Sequence, residues 1–435
     1  VNAGAGTDSP AGRVPAPDFS GMWRDLARIG RHPGTGGYRR YAWTAADADC
    51  RAWFAEQARH RGLGYEADRN GNQWAWLGDP AAGDAVVTGS HLDSVPDGGA
   101  FDGPLGVVSA FAALDELRAR GARPRRPLAV VNFGDEEGAR FGLSCVGSRL
   151  TAGQLAPDAA RGLRDADGVT LARAMERAGH DPEAIGPDPE RLARIGAFVE
   201  LHIEQGRNLA LHGTPRGSGS GPGRSGGRAV AGTPVGVASA IWPHGRWRFD
   251  FHGEANHAGT TALADRRDPM LTYASTVLAA REQARLTGAL ATFGKVTVEP
   301  GGVNAIASLV RGWLDSRAPD EPALATVVSA VERAAAESGE RDGVGVRVTR
   351  ESFTPVVELE HALRDDLAKM LGGAPVLPTG AGHDAGILSG AVPAAMMFVR
   401  NPTGVSHSPA EQAAEDDCLA GVTALADVLE GMACH

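Results

Sequence analysis

The sequence predicts an α/β chain with a mixed sheet, interrupted by a smaller α+β unit of ferredoxin-like order. Three observations predict it. Short apolar runs at 84–88, 128–133 and 197–201 each end abruptly in polar residues, the pattern of buried strands that carry ligands at their C-terminal ends. Helical patterns separate these runs. After residue 241 the character changes to alternation, as in Trp247-Arg-Phe-Asp-Phe-His252, which suits a half-exposed antiparallel strand. The reading therefore places one domain at 19–241 and 353–435 and inserts a second at 242–352.

A chain of 435 residues is long enough for two domains, and 43% hydrophobic with 22% charged residues is a globular composition. A net charge of -10 argues against a nucleic-acid partner. No apolar run reaches the ~20 residues that span a bilayer, so no membrane association is expected. The beginning of the chain shows no basic stretch followed by an apolar one, and no signal peptide is expected. The four cysteines, Cys50, Cys145, Cys418 and Cys434, are far apart and form no CxxC pair. They read as reduced thiols in a cytoplasmic protein.

In chain order, residues 1–18 read as a loose arm. Two helical segments follow between 19 and 62. The second begins near Thr44, with Cys50, Trp53, Phe54 and Ala58 on its apolar face. Residues 65–77, centred on Asn70-Gly71, read as a hairpin. The strand at 84–88 leads into Gly89-Ser90-His91-Leu92-Asp93, then Gly98-Gly99-Ala100-Phe101-Asp102-Gly103, then a helix at 105–120. The strand at 128–133 leads into Asp135-Glu136-Glu137. Residues 151–196 are polar and helical, most clearly at 169–178. The strand at 197–201 delivers His202-Ile203-Glu204-Gln205. Residues 215–231 are Gly-, Ser- and Arg-rich and read as a flexible loop between near copies at Gly213 and Gly232. In the insert, helices are expected at 268–286 and 321–338, and strands at 292–298, 305–316 and 344–351. A final helix is expected at 411–431.

The chemistry-bearing residues sit at the strand ends. His91 offers an imidazole and Asp102 a carboxylate able to bridge two cations. Asp93 is spaced to hold the His91 ring from behind. Glu136 and Glu137 are adjacent carboxylates, costly unless cations or a proton relieve their repulsion. One can ligate a metal while the other takes a proton from water. Taken singly, each motif also reads as an ordinary polar turn. In the insert, Asn304 and Arg317, thirteen residues apart, form a sensible carboxylate clamp.

Seven motifs in order, GSHLDSV, GGAFDGPLGV, DEEGARF, ELHIEQG, ANHAGTT, GGVNAI and SHSPAE, resemble the dinuclear metallo-amidohydrolases of the aminoacylase/carboxypeptidase type. Within these the chain resembles the branch of N-carbamoyl-L-amino acid hydrolases, β-ureidopropionases and allantoate amidohydrolases. The stretch FVRNPTGVSHSPAE is most similar to bacterial proteins described as allantoate amidohydrolases. The resemblance implies a metal-binding catalytic domain with an inserted lid and dimerisation domain. It implies two divalent ions per subunit, manganese or zinc before cobalt or nickel. One would be held by His91, Asp102 and His202, the other by Asp102, Glu137 and His407. Glu136 would be the general base, and His257, carried by a dimer partner, would stabilise the oxyanion. Asn304 and Arg317 would bind the substrate carboxylate, and Gln205 and His383 the ureido end. Allantoate stands first as substrate and N-carbamoyl-L-amino acids second. Aminoacylase or peptidase activity, or non-catalytic capture of a small carboxylate, are the remaining readings. The chain departs from the family at Ala262-Leu263, often Pro-Met, and at Ala307, often Pro.

Overall fold

The computed structural model describes residues 18–212 and 232–434. The arm expected before residue 18 and the loop expected at 215–231 lie outside them. Contacts divide the chain into two compact units, which exchange between Ser239 and Ala240 and again between Val357 and Glu358.

The first unit is built on a nine-stranded mixed sheet. Its middle is parallel: Leu128–Phe133 beside Ala85–His91, then Ile195–Ile203, then Ala394–Val399. Antiparallel strands flank it, the Gly64–Ala67 and Gln73–Leu77 hairpin on one side and Val235–Ile241 on the other. Both faces of the parallel strands are buried. Val86, Val130 and Leu201 pack with Phe54, Phe111 and Leu425 of the helices Ala45–His60, Pro104–Ala119 and Glu415–Ala433. From the same strands, Val87, Val131 and Phe198 pack on the other face with Trp74 and Leu388. Double burial is why these strands read as unbroken apolar runs. The burial of such side chains, at ~25 cal/mol per Å², holds the sheet together. Thr44 caps the second helix by accepting from the Asp47 amide.

The second unit pairs its strands in the order Gly345–Thr354, His244–His252, Leu309–Arg317, Leu290–Glu299, all antiparallel. The helices Pro269–Thr287 and Glu321–Asp342 connect them. In chain order the four strands sit 4-1-3-2, the ferredoxin-like arrangement. Its core is Trp247, Phe249, Phe251, Val310, Leu314, Val327 and Val331. One expected strand, 305–316, is two: Ala305–Ile306 pairs with Asn256–His257 in a short ribbon, and Leu309–Arg317 belongs to the main sheet.

The last helix begins at Glu415, four residues later than the periodicity predicts. The turn before it uses the Glu411 carboxylate elsewhere, as described below. Among the described residues no helix is long and apolar enough to cross a membrane, and all four cysteines are free.

Candidate active site

His91 is the last residue of its strand and is buried. Its Nδ1 lies 3.2 Å from the Asp93 carbonyl oxygen and 3.3 Å from Asp93 Oδ1. The Nε2 atom therefore turns the other way, 3.7 Å from Asp102 Oδ1 and 3.7 Å from Glu136 Oε2, without a hydrogen-bond partner. The Asp93 carboxylate also accepts the backbone amides of Glu136, at 3.2 Å, and Glu137, at 3.0 Å. One side chain thus ties the His91 loop to the paired glutamates. Gly103, at φ +84°, is needed here twice over: the backbone is left-handed, and a Cβ would fall 2.4 Å from the His91 ring.

Asp102 stands at the centre. Its Oδ1 lies 3.2 Å from His202 Nε2 and its Oδ2 3.3 Å from His407 Nε2. His202 turns Nδ1 back to the Ile203 carbonyl oxygen at 2.8 Å, which leaves Nε2 for the centre. Glu137 Oε2 reaches to 3.7 Å from His407 Nε2. Two groups with mutually close ligand atoms result, His91, Asp102 and His202, and Asp102, Glu137 and His407, sharing Asp102. A third, Glu200, His202 and His383, overlaps the first. The donors are nitrogen and oxygen only, which suits zinc, manganese, cobalt or nickel. The unpartnered, buried Nε2 atoms of His91 and His202, converging on a carboxylate, fit a divalent cation and have no other partner.

Glu136 is 5% exposed, and the Cys145 thiol donates to its Oε1 at 3.4 Å. Asp135, Cys145 and His407 all hold positive φ without being glycine. Such strain gathers at functional sites. Gln205 donates from Nε2 to Asp102 Oδ2 at 2.7 Å and lies 3.4 Å from His407 Nε2, so it sits among the acidic and imidazole groups. The His383 ring is 4.5 Å from that of His202, and its buried Nε2 has no partner.

Protonation follows from burial and neighbours. Burial pushes Glu136 well above the usual carboxylate range, and burial with the charge of Asp102 lifts Glu137 to about 7. Burial works against the Asp102 anion, yet the facing His202 and His407 imidazoles hold it well below its ordinary value. The facing Asp102 carboxylate in turn raises His407 to about 9. Burial, reinforced by the charge of His202, drives His383 well below the imidazole range. A cavity of carboxylates that hold protons beside imidazoles that attract them is one a divalent cation would relieve.

His257, Asn304 and Arg317 belong to the second unit. His257 lies in the short ribbon and Asn304 at its edge, where the Ala258 amide donates to the Asn304 carbonyl oxygen at 2.9 Å. The Gly259 amide donates to His257 Nδ1 at 3.0 Å, so in the neutral ring the proton sits on the exposed Nε2. Arg317 ends the Leu309–Arg317 strand and pairs with Asp315 on the same strand, at 2.9 Å to Oδ1. The ribbon prolongs the ladder beyond Leu309, away from Arg317. A nine-residue strand alone spans about 26 Å. Within one chain, then, the expected clamp of Asn304 with Arg317 is not assembled. Thirteen residues look close in sequence, but an extended strand puts them at opposite ends.

Three residues escaped the sequence reading. Glu200 lies buried under the centre and accepts from Ser90 Oγ at 2.7 Å and the Ala385 amide at 2.9 Å. A charge inside an apolar strand was its signal. Asp384 accepts from Ser148, and burial lifts it to about 8. Glu411 is the third.

This arrangement is that of a metal-dependent hydrolase. The chain belongs to Peptidase family M20/M25/M40, whose family model matches residues 87–431, and it is a hydrolase of carbon–nitrogen bonds. Across 93% of its length it is 38% identical to an N-carbamoyl-L-amino acid amidohydrolase of Geobacillus stearothermophilus, 96% of which is covered. Across 94% it is 30% identical to an allantoate amidohydrolase of Escherichia coli, again with 96% covered. A solved hydantoinase/carbamoylase-family amidase from Burkholderia vietnamiensis superposes with a TM-score of 0.80 at 28% identity, covering 96% of this chain and 98% of that one.

Proposed function

We propose that the chain hydrolyses the ureido C–N bond of a small α-carboxylate, either allantoate or an N-carbamoyl-L-amino acid. The observation that carries this is Glu136 buried beside two ligand groups that share Asp102. The two substrates are one chemical class: allantoate is an N-carbamoyl amino acid whose side chain is a second ureido group. The 38% identity to a carbamoylase puts N-carbamoyl-L-amino acids level with allantoate.

Two divalent cations, one on His91, Asp102 and His202 and one on Asp102, Glu137 and His407, would supply carbonyl polarisation and a water of lowered pKa. Glu136 takes the proton of the attacking water and delivers it to the leaving nitrogen. His257 presents Nε2–H to the developing oxyanion. Gln205 and His383 border the ureido end. Water and substrate become carbon dioxide, ammonia and the amine, which for allantoate is ureidoglycine.

Arg317 and Asn304 take the carboxylate if they come from two copies of the chain, since their separation within one chain prevents it. A dimer through the second unit is supported by its edge. Leu290–Glu299 is an outer strand with Leu290 and Val296 exposed, and the neighbouring helix exposes Leu271, Leu278 and Leu286. Unpaired strand edges beside apolar surface are ready partners for a second chain.

The test is ammonia release by manganese-loaded protein with allantoate and a panel of N-carbamoyl-L-amino acids side by side. Turnover of either class supports the proposal and ranks the two. No ammonia from any ureido acid, with turnover of an N-acyl amino acid, would replace it with an aminoacylase.

A further inference from the structure

Glu411 belongs to no ligand group and touches no proposed substrate atom, yet it is 5% exposed. Its Oε1 accepts two successive backbone amides, Phe101 N–H at 2.9 Å and Asp102 N–H at 3.0 Å. These bonds join points 310 and 309 residues apart in the chain. Successive amides converging on one oxygen form an anion cradle, and bonds to a buried carboxylate are among the stronger hydrogen bonds. The loop they fix carries Asp102, and the segment that supplies Glu411 carries His407.

The rest of the segment is built to deliver the carboxylate. The Glu411 amide donates to the Ser408 carbonyl oxygen at 3.0 Å, which closes a turn after His407. Upstream, the Asn401 side chain accepts the Thr403 amide at 3.1 Å and the Gly404 amide at 2.9 Å, and it donates to the Val405 carbonyl oxygen at 2.9 Å. His407 itself sits at φ +54°, a conformation its surroundings must enforce. On the opposite loop, Gly99 leaves the space: a Cβ there would fall 2.5 Å from both Glu411 Cβ and Cδ. The helical periodicity runs through Glu411, but helix formation at that point would withdraw the carboxylate from the two amides. The helix starts at Glu415 instead.

We infer that Glu411 is a positioning residue that locks the Asp102 loop to the His407 loop, so that the group Asp102, Glu137 and His407 assembles as a cation site only while its carboxylate holds the Phe101 and Asp102 amides. This rests on the two-cation reading above. His91 and His202 are held by their own strands, so the other group depends on Glu411 only through Asp102. The weaker, dependent site is therefore the one containing His407.

The test is zinc titration of metal-stripped full-length protein against a chromophoric chelator, for the wild type and for E411A, E411Q and G99A, with metal-free melting curves alongside. Wild-type protein is expected to bind two zinc ions. E411A and G99A are expected to keep one site near wild-type affinity and to weaken the other roughly 10- to 100-fold, the usual cost of losing such an outer partner. Their metal-free melting temperatures should stay close to wild type. E411Q retains a carbonyl oxygen able to accept both amides and should recover most of the lost affinity. Two unweakened sites in E411A and G99A would overturn the inference. So would loss of both sites together with a collapse of the metal-free melting temperature, which marks a general structural role. A wild-type protein that binds a single zinc ion would instead overturn the two-cation reading itself, and the two failures are distinct.

Discussion

The two units place their candidate site residues in opposite ways. In the first, His91, Glu136, Glu137 and His202 stand at or just past the ends of parallel strands buried on both faces, and all but Glu137 are buried. In the second, His257 on a two-residue ribbon and Asn304 just before its partner strand are exposed, and Arg317 stands at the far end of an alternating antiparallel strand. A doubly covered parallel sheet has one place for polar chemistry, its C-terminal edge, so residues from distant segments must converge there. An antiparallel sheet with one wet face imposes no such convergence.

The sharpest test of the contrast lies in the buried site. Glu136→Gln removes the proposed base and keeps the shape. Turnover should fall about 10³-fold, within the range for losing general acid–base help, while both metals stay bound. Ammonia release within tenfold of wild type would break the assignment. The exposed residues offer the next test. Mixing inactive Glu136→Gln with inactive His257→Ala should restore about a quarter of wild-type activity if His257 acts across a symmetric dimer, since half the dimers are mixed and each has one intact site. No recovery after subunit exchange would place His257 in the same chain as its Glu136.

A smaller effect separates the units by pH. Burial lifts Glu137 and Glu411 to about 7 and Asp384 to about 8. A carboxyl group whose folded pKa exceeds its unfolded value binds extra protons in the folded state. Its contribution is fully present below pH ~4 and is lost as pH rises through 7 to 8. His407, raised to about 9, works in the same direction, whereas His383, pushed down, opposes it. Chelator-treated protein should therefore melt at falling temperature between about pH 5 and pH 8, and added metal should flatten the trend. A metal-free melting temperature that rises over this window would contradict it. The smallest effect is purely structural. Asp320 caps the Glu321–Asp342 helix by accepting the Ala323 amide at 2.7 Å. Asp320→Ala should cost about 1 kcal/mol in denaturant unfolding, with kcat/KM unchanged.

The contrast also explains what was legible in the chain. The parallel strands were read from their apolar runs, and the imidazoles and carboxylates at their ends from the break in those runs. The order of strands and helices in the second unit was read from its periodicity. The cap signal at Thr44 worked, and that residue caps its helix; the helix expected at 169–178 begins at Leu171, after Thr170 accepts the Arg173 amide. The same logic failed at Glu411. A carboxylate at a helix start is locally sensible, and nothing within ten residues tells that its partners are the amides of Phe101 and Asp102.

By itself, then, the sequence determined the periodicities, the candidate imidazoles and carboxylates and the loops that carry them, because these depend on neighbours along the chain. Only the tertiary structure decided which candidate groups share Asp102, that Glu200 and Glu411 lie buried against the segments carrying them, and that Asn304 and Arg317 stand apart. Those relations depend on strand order and register, where residues hundreds of positions apart come within 3 Å and residues thirteen apart are carried to opposite ends of an extended strand.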